Sequence, residues 1–172
     1  MIYGLGGIKP EISDGAYVHE AAVIIGRVKI ADDVSVWPCA VVRGDVADIS
    51  IGRGTSVQDN CTIHVDIGAD AVIGEMVTIG HGAVVHGSRI GNRCLIGMGA
   101  VVMESEIGDD CLIAAGTVLP PGSKIPARSM VRGVPGKIAR ELTESELAGL
   151  VKSAGAYLAL GAEFRRNCGR IS

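Results

Sequence analysis

The chain of 172 residues can bury one sizeable core, because 48% of its residues are apolar, so a single structural domain is expected. Its formal net charge of -3 argues against a nucleic-acid-binding surface. No basic segment followed by an apolar run opens the sequence, and no uninterrupted apolar stretch of about 18 residues occurs. These features predict a cytoplasmic protein that binds neither nucleic acid nor a membrane.

Aliphatic residues recur about every six positions, and three such steps repeat every 17 residues. A unit this short fits three strands per turn of a solenoid. A small residue follows each aliphatic one at a fixed distance, and glycines stand where the chain must bend. The clearest repeats are Ile73, Ile79, Val85; Ile90, Ile96, Val102; and Ile107, Ile113, Leu119.

The same phase starts upstream at Ile30 and closes downstream at Val131, with two wider gaps that predict extruded loops over residues 43–50 and 64–72. This hexapeptide pattern resembles the left-handed parallel β-helix, and the left-handed winding is implied by that resemblance alone. We therefore expect an all-β solenoid of hexapeptide repeats over residues 1–136.

Residues 137–172 are expected to form a C-terminal helical extension packed on the solenoid, so that the two segments make one structural domain. Thr143 and Glu146 have the spacing of a capping box, which predicts a helix from about residue 143 to 166. Its apolar stripe should lie on an outer face of the solenoid, either in its own chain or in a neighbour's. The stripe consists of Leu147, Leu150, Val151, Ala154, Leu158 and Gly161.

Five cysteines raise the question of a disulfide framework or a zinc ribbon. The sequence contains no Cys-x-x-Cys pair, and Cys61, Cys94 and Cys111 occupy the small core position of the repeat. Buried thiols are therefore predicted.

Polar residues fall into columns when they are counted from the aliphatic ladder. Arg43, His64 and His86 each follow the third aliphatic residue of a turn, so they should stack about 4.8 Å apart on one edge. Asp59 and His81 form an adjoining column on the preceding face, two residues after the second aliphatic residue. Gln58 lies one residue earlier, and neither position is expected to point inward.

Two stacked imidazoles leave a catalytic metal one protein ligand short, because zinc in such sites takes three and keeps a fourth position for water. His81 is the natural third ligand, but it lies on a different face from His86. We therefore expect a metal site between subunits, with His81 supplied by a neighbouring chain. Zn2+ is the expected ion, and three imidazoles suit Fe2+ and Co2+ as well.

The chain resembles gamma-class carbonic anhydrases and their bacterial relatives over nearly its whole length. The motifs that carry the resemblance are Arg43-Gly44-Asp45, Gln58-Asp59-Asn60, His64 and Gly80-His81-Gly82-Ala83-Val84-Val85-His86-Gly87. The resemblance implies a homotrimer with three boundary sites, in which a metal-bound hydroxide hydrates carbon dioxide reversibly to bicarbonate.

The resemblance also implies roles for the supporting residues. Gln58 would hydrogen-bond the reacting oxygen, and Arg43 would form an intersubunit ion pair with Asp45 or contact bicarbonate. Asp59 would orient a ligand or join the ion-pair network. Tyr157 falls in the helix where relatives often place a tyrosine near the site, and simple packing is the alternative.

One departure from the family pattern concerns proton export. The family prototype has acidic residues directly after the Arg-x-Asp motif and in a long loop after the first histidine. Here Val46 follows Asp45, and residues 65–72 contain only Asp66 and Asp70. Slow hydratase activity is therefore expected. The alternatives are a hexapeptide-repeat acyltransferase, with a histidine base and a coenzyme A groove, and a noncatalytic metal-containing scaffold.

Overall fold

The inward aliphatic residues of successive repeats stack directly on one another. Ile79 pairs with Ile96, and Ile96 pairs with Ile113, in parallel ladders whose three side chains are fully buried. The computed structural model describes residues 1–169. They form a parallel β-solenoid of hexapeptide repeats that ends in a helix, which confirms the predicted fold class.

Most strands are two or three residues long, because the chain turns a corner after each six-residue step. In chain order the strands are β1 Ile2–Tyr3, β2 Glu11–Ile12, β3 Tyr17–Val18, β4 Val23–Ile30, β5 Ser35–Val36, β6 Val41–Ile51, β7 Ser56–Val57, β8 Thr62–His64, β9 Ala71–Ile73, β10 Thr78–Ile79, β11 Val84–His86, β12 Arg89–Ile90, β13 Leu95–Ile96, β14 Val101–Met103, β15 Glu106–Ile107, β16 Leu112–Ile113, β17 Val118–Leu119, β18 Lys124–Ile125, β19 Ser129–Arg132 and β20 Lys137–Glu141.

The strands stack into three faces. The histidine face contains β8, β11, β14, β17 and the first halves of β4 and β6. The charged face contains β2, β9, β12, β15, β18 and the second halves of β4 and β6. The 12-stranded sheet continues across both faces because β4 and β6 each span the corner between them. The helix face is a separate sheet of eight strands, in the order β20-β19-β16-β13-β10-β7-β5-β3.

The predicted loop over residues 43–50 is wrong, since these residues lie within β6. β6 pairs with β4 up to Gly44 opposite Gly26, and pairing resumes at Ile49 opposite Val28. Only residues 45–48 bulge out of the ladder. The strand can pass the corner because Gly26 has a φ of +76° and a Cβ there would overlap the Gly44 carbonyl. The second predicted loop protrudes between β8 and β9, closed by reciprocal backbone hydrogen bonds between Asp66 and Ala69.

The C-terminal helix α1, Glu144–Asn167, begins with the predicted capping box. The Thr143 hydroxyl accepts from the Glu146 backbone N–H at 3.3 Å, and the Glu146 carboxylate accepts from the Thr143 N–H at 2.9 Å. The helix packs on the helix face of its own chain and buries Leu150, Ala154 and Gly161. Val151, which the stripe included, is 48% exposed. Within residues 1–169, no helix has the length and apolar character needed to cross a membrane.

The segment before the helix is a strand and not part of a helical extension. β20 pairs antiparallel with β19 at the C-terminal end of the helix face, and all five of its residues are exposed. The predicted extension over residues 137–172 therefore begins with β structure, and its last three residues lie outside the described part of the chain.

Three cysteines are buried in the core, as their place in the repeat predicts. Cys61, Cys94 and Cys111 are at most 2% exposed, and no disulfide joins them. Burial raises the pKa of the Cys61 thiol to about 11, so this residue is an unreactive apolar side chain.

We expect Ile96→Ala to lower the free energy of unfolding by about 2–5 kcal/mol, because the substitution leaves a cavity in a fully buried ladder. The control is Lys124→Ala on the charged face, where an exposed side chain should change stability by less than about 0.5 kcal/mol. Urea denaturation followed by circular dichroism measures both. Equal effects of the two substitutions would contradict the assigned inward and outward directions.

Candidate metal centre

Two histidines and an arginine stand in one column on the histidine face. Arg43 is paired in register with His64, and His64 with His86, in the order that the spacing predicts. The two imidazole rings have centroids 5.1 Å apart and are tilted by 58°. The parallel ladder thus brings together two potential metal ligands that are 22 residues apart in the chain.

Asp45 joins this column from the bulge in β6. Its carboxylate pairs with the Arg43 guanidinium through Oδ2, and its Oδ1 lies 3.0 Å from Nε2 of His64. Arg43 and Asp45 form an ion pair within one chain, and the pair between subunits that the resemblance implies stays a prediction. The reason is local, because the bulge places Asp45 directly beside the strand that carries Arg43.

The surroundings of His64 lower the pKa of its imidazole. Partial burial lowers the pKa of its imidazole, and the positive charge of Arg43 lowers it further, while Asp66 opposes both effects. The neutral form of the ring, which can coordinate a metal, is therefore favoured.

His81 occupies the corner between the helix face and the histidine face. Its Nδ1 lies 2.9 Å from Oδ2 of Asp59, one turn below, and its backbone N–H donates to Oε1 of Gln58 at 3.1 Å. Gln58 was expected at an outward position, but its side chain is only 3% exposed. The hydrogen bond explains this position, because the amide is held against the backbone of the corner turn.

The nitrogen atoms available for an ion do not meet within one chain. Across residues 1–169, no group of three His, Cys, Asp or Glu side chains is arranged to hold a metal ion. Asp59 contacts Nδ1 of His81 and leaves Nε2 for coordination, whereas Asp45 contacts Nε2 of His64, so an ion at that nitrogen would compete with Asp45. Three neutral imidazoles fit Zn2+, Fe2+ or Co2+ chemically, provided that a second chain supplies one of them.

Comparison with known proteins decides the family. The family model of the bacterial transferase hexapeptide matches residues 70–103, and that of the hexapeptide repeat of succinyl-transferase matches residues 87–120. The chain is 49% identical over 150 residues to a probable carbonic anhydrase from Methanocaldococcus jannaschii, covering 87% of this chain and 94% of the relative. It is 35% identical to the mitochondrial gamma carbonic anhydrase 2 of Arabidopsis thaliana, covering 88% of this chain and 57% of that protein.

The chain belongs to the gamma-class carbonic anhydrase family. The same fold occurs under other names, since a solved structure of a putative acetyltransferase from Bacillus cereus superposes with a TM-score of 0.94. That protein is 32% identical, and the match covers 96% of each chain. The family assignment therefore leaves the activity to be argued from the residues of the site.

Tyr157 of α1 packs against an aromatic residue of the solenoid, Trp37. Its ring stands edge-on to Trp37 with centroids 6.3 Å apart, and Trp37 is held by hydrogen bonds from Nε1 to Ser35 and Ser56. In the described residues, no hydrogen bond joins Tyr157 to Arg43 or to any histidine of the column. The contacts of Tyr157 are those of a packing residue, and its role in the site stays a prediction.

Two methionines lie next to the histidines, and the sequence did not predict either of them as a site residue. The column of His64 and His86 continues in register to Met103, and the corner position after His81 is taken by Met98 one turn on. The count from the aliphatic ladder that located the histidines would have located these methionines too. Neither is an expected ligand, because methionine does not suit a hard or borderline ion.

We expect Arg43→Gln to raise the pKa of His64 in the metal-free protein, because the positive charge beside the imidazole is removed. An NMR titration of the histidine Cε1 protons measures the change. Arg53→Gln is the control, since Arg53 pairs with Asp33 and leaves His64 unaffected. An unchanged or lowered His64 pKa in Arg43→Gln would show that Arg43 does not set the charge of this site.

Proposed function

We propose that this protein hydrates carbon dioxide reversibly to bicarbonate at a metal site shared between chains. His64 and His86 of one chain and His81 of its neighbour would hold the ion in a homotrimer. The observation that carries the proposal is the register of the histidine column, with the third histidine on the next corner of the same turn. The relatives named as carbonic anhydrases support the reaction class.

The histidine face has the character of a subunit contact. Beside the histidine column runs a second outward column, in which every side chain except one is valine and all are half-buried. An apolar face next to an incomplete ligand set favours a second copy of the chain as its cover. The column consists of Val23, Val41, Thr62, Val84, Val101 and Val118.

Zn2+ is the proposed ion, with Fe2+ and Co2+ as alternatives. When bound, it would act as a Lewis acid that lowers the pKa of water to about 7 and makes hydroxide available near neutral pH. His81 is prepared for such an ion, because Asp59 holds Nδ1 and thereby fixes both the tautomer and the orientation of the ring.

The remaining polar groups can bind the substrate and product. Arg43 offers a fixed positive charge for the bicarbonate anion, and Asp45 restrains its guanidinium. Because Oε1 of Gln58 already accepts from the His81 backbone, its amide nitrogen is the group that can donate to a substrate oxygen. The proton of the hydration step has no carboxylate at position 46 to receive it, so turnover should be slow and depend on buffer.

Protein purified without air should contain about one metal ion per chain and should hydrate carbon dioxide, because each of three boundary sites needs three histidines. Elemental analysis and a stopped-flow hydration assay on the same sample measure this. Acetyl-coenzyme A turnover by metal-free protein would favour an acyltransferase. Metal without hydration under varied buffer and redox conditions would favour a noncatalytic scaffold.

A sharper test mixes two inactive variants, His64→Ala and His81→Ala. If the ligands come from different chains, random reassembly restores about a quarter of the sites, since a site needs an ordered pair of complementary chains. Activity and metal content should both recover to about that fraction after the two proteins are unfolded and refolded together.

The matched control mixes His64→Ala with His86→Ala. Both ligands belong to the same chain in the proposed site, so no mixture of these variants can complete a site, and activity should stay absent. Recovery in this control, or none in the first mixture, would rule out the assignment of His81 to the neighbouring chain.

A further inference from the structure

A cavity of about 380 Å³ lies between β3 and the last turn of α1, at the N-terminal end of the helix face. Residues 16–20 of the solenoid form one side of it, and the end of the helix forms the other. The ladder that starts with Val18 and Val36 reaches Ile79, at the level of His81, three turns further on. At the usual spacing of neighbouring strands, the cavity is therefore about 14 Å from the proposed metal centre along the solenoid axis.

Tyr17 lines the cavity and carries a buried hydroxyl that has no hydrogen-bond partner in the described residues. The residue is 8% exposed, and its ring packs edge-on against Trp37 and Phe164 at centroid distances of 5.7 and 6.0 Å. Burial, together with the neighbouring Cys168 thiol, raises the pKa of Tyr17 to about 12, so the hydroxyl keeps its proton. A thiol is a weak acceptor, and Cys168 is exposed, so its side chain can turn away from the hydroxyl. The buried donor is thus left for an acceptor that a ligand can supply.

Two further groups around the cavity can donate to the same ligand. Nδ1 of His19 accepts from the Ala21 N–H at 3.0 Å, which leaves the proton of the neutral ring on Nε2. Arg165, in the last turn of α1, adds a guanidinium with a permanent positive charge. Among the described residues that line the cavity, only Glu20 carries a carboxylate, and it is exposed. Glu20 and the C-terminal carbonyl groups of α1 oppose a second negative charge, so the donors favour a monoanion.

Apolar side chains stand beside these donors. Ala16, Val18 and the ring of Phe164 line the cavity, and they can cover a short hydrocarbon body. The volume is many times the roughly 10–15 Å³ that one water needs, so a single inorganic ion would leave most of it unfilled. Within residues 1–169, the cavity's own His19, Glu20 and Cys168 are not arranged to hold a metal ion.

We propose that this cavity binds a small monocarboxylate with a short apolar chain. The carboxylate accepts from the Tyr17 hydroxyl, from Nε2 of His19 and from the Arg165 guanidinium. The apolar chain packs on Phe164. This site goes beyond the proposed hydration of carbon dioxide, because it shares no residue with the metal centre and needs no metal. A bound carboxylate joins β3 to the end of α1, since its donors belong to both sides of the cavity.

Titration of the full chain with butyrate at constant ionic strength tests the site. Trp37 is the single tryptophan, and its ring centroid is 5.0 Å from that of Phe164, so its fluorescence should change saturably as the cavity fills. Butyramide, which has nearly the same shape without the charge, and butylammonium, which has the opposite charge, should give no response. No response to butyrate, or an equal response to butyramide, overturns the proposal. Inorganic phosphate that binds as tightly as butyrate would make this a general anion site and overturn the assignment to a carboxylate.

Two variants separate a ligand site from ordinary packing. Arg165→Gln should weaken butyrate about tenfold, whereas Arg166→Gln, which removes the same charge from the same turn but lies outside the cavity lining, should leave the Kd unchanged. Tyr17→Phe should also weaken butyrate about tenfold, yet it should raise the urea midpoint of the ligand-free protein, because a buried hydroxyl without a partner is removed. An unchanged butyrate Kd in Tyr17→Phe or Arg165→Gln, or an equal loss in Arg166→Gln, would contradict the site. None of these readouts depends on metal or on hydration activity, so this inference and the proposed function can fail separately.

Discussion

The register of the parallel ladders holds each residue beside its equivalent in the next turn, and the arrangement of the site depends on it. Side chains alternate between inside and outside along a strand, so a slip by one residue would turn the aliphatic ladder outward. The buried residues Ile79, Ile96 and Ile113 make such a slip costly. The same buried ladder therefore fixes, on the outside, which polar side chains stand next to His64 and His86.

The proposed ligand set, unlike the core, is incomplete within one chain. His64 and His86 share a column, while His81 belongs to the neighbouring corner and is held there by Asp59. The proposed division of the site would couple metal binding to assembly, because one chain places only two imidazoles side by side. In that proposal, burial of the valine column would stabilise the contact between chains, and completion of the histidine set would make the contact necessary for activity.

Counting along the aliphatic ladder predicts which residues of the site are neighbours, but it does not predict how deeply they are buried. The positions of Arg43, His64 and His86 follow from the period alone, and so does the capping box of α1 at Thr143. The burial of Gln58 does not, because it results from a hydrogen bond to the turn of the next coil. The path of residues 43–50 does not follow from the period either, since the close approach of Gly26 and Gly44 lets β6 continue through its bulge. The repeat period predicts whether a side chain points inward or outward, whereas contacts between turns determine its burial and the geometry of bulges.

The antiparallel strand β20 has a consequence for how far the solenoid can extend. A stack of parallel turns ends in open backbone groups, on which another molecule could continue the ladder as a fibre. β20 reverses the chain direction over β19 and presents Lys137, Arg140 and Glu141 on its exposed residues. On the helix face, an incoming turn of the same polarity therefore meets an antiparallel, charged strand and not a parallel template. Strand addition is thereby hindered on this one face, so a fibre that continued all three faces in register could not form without displacing β20.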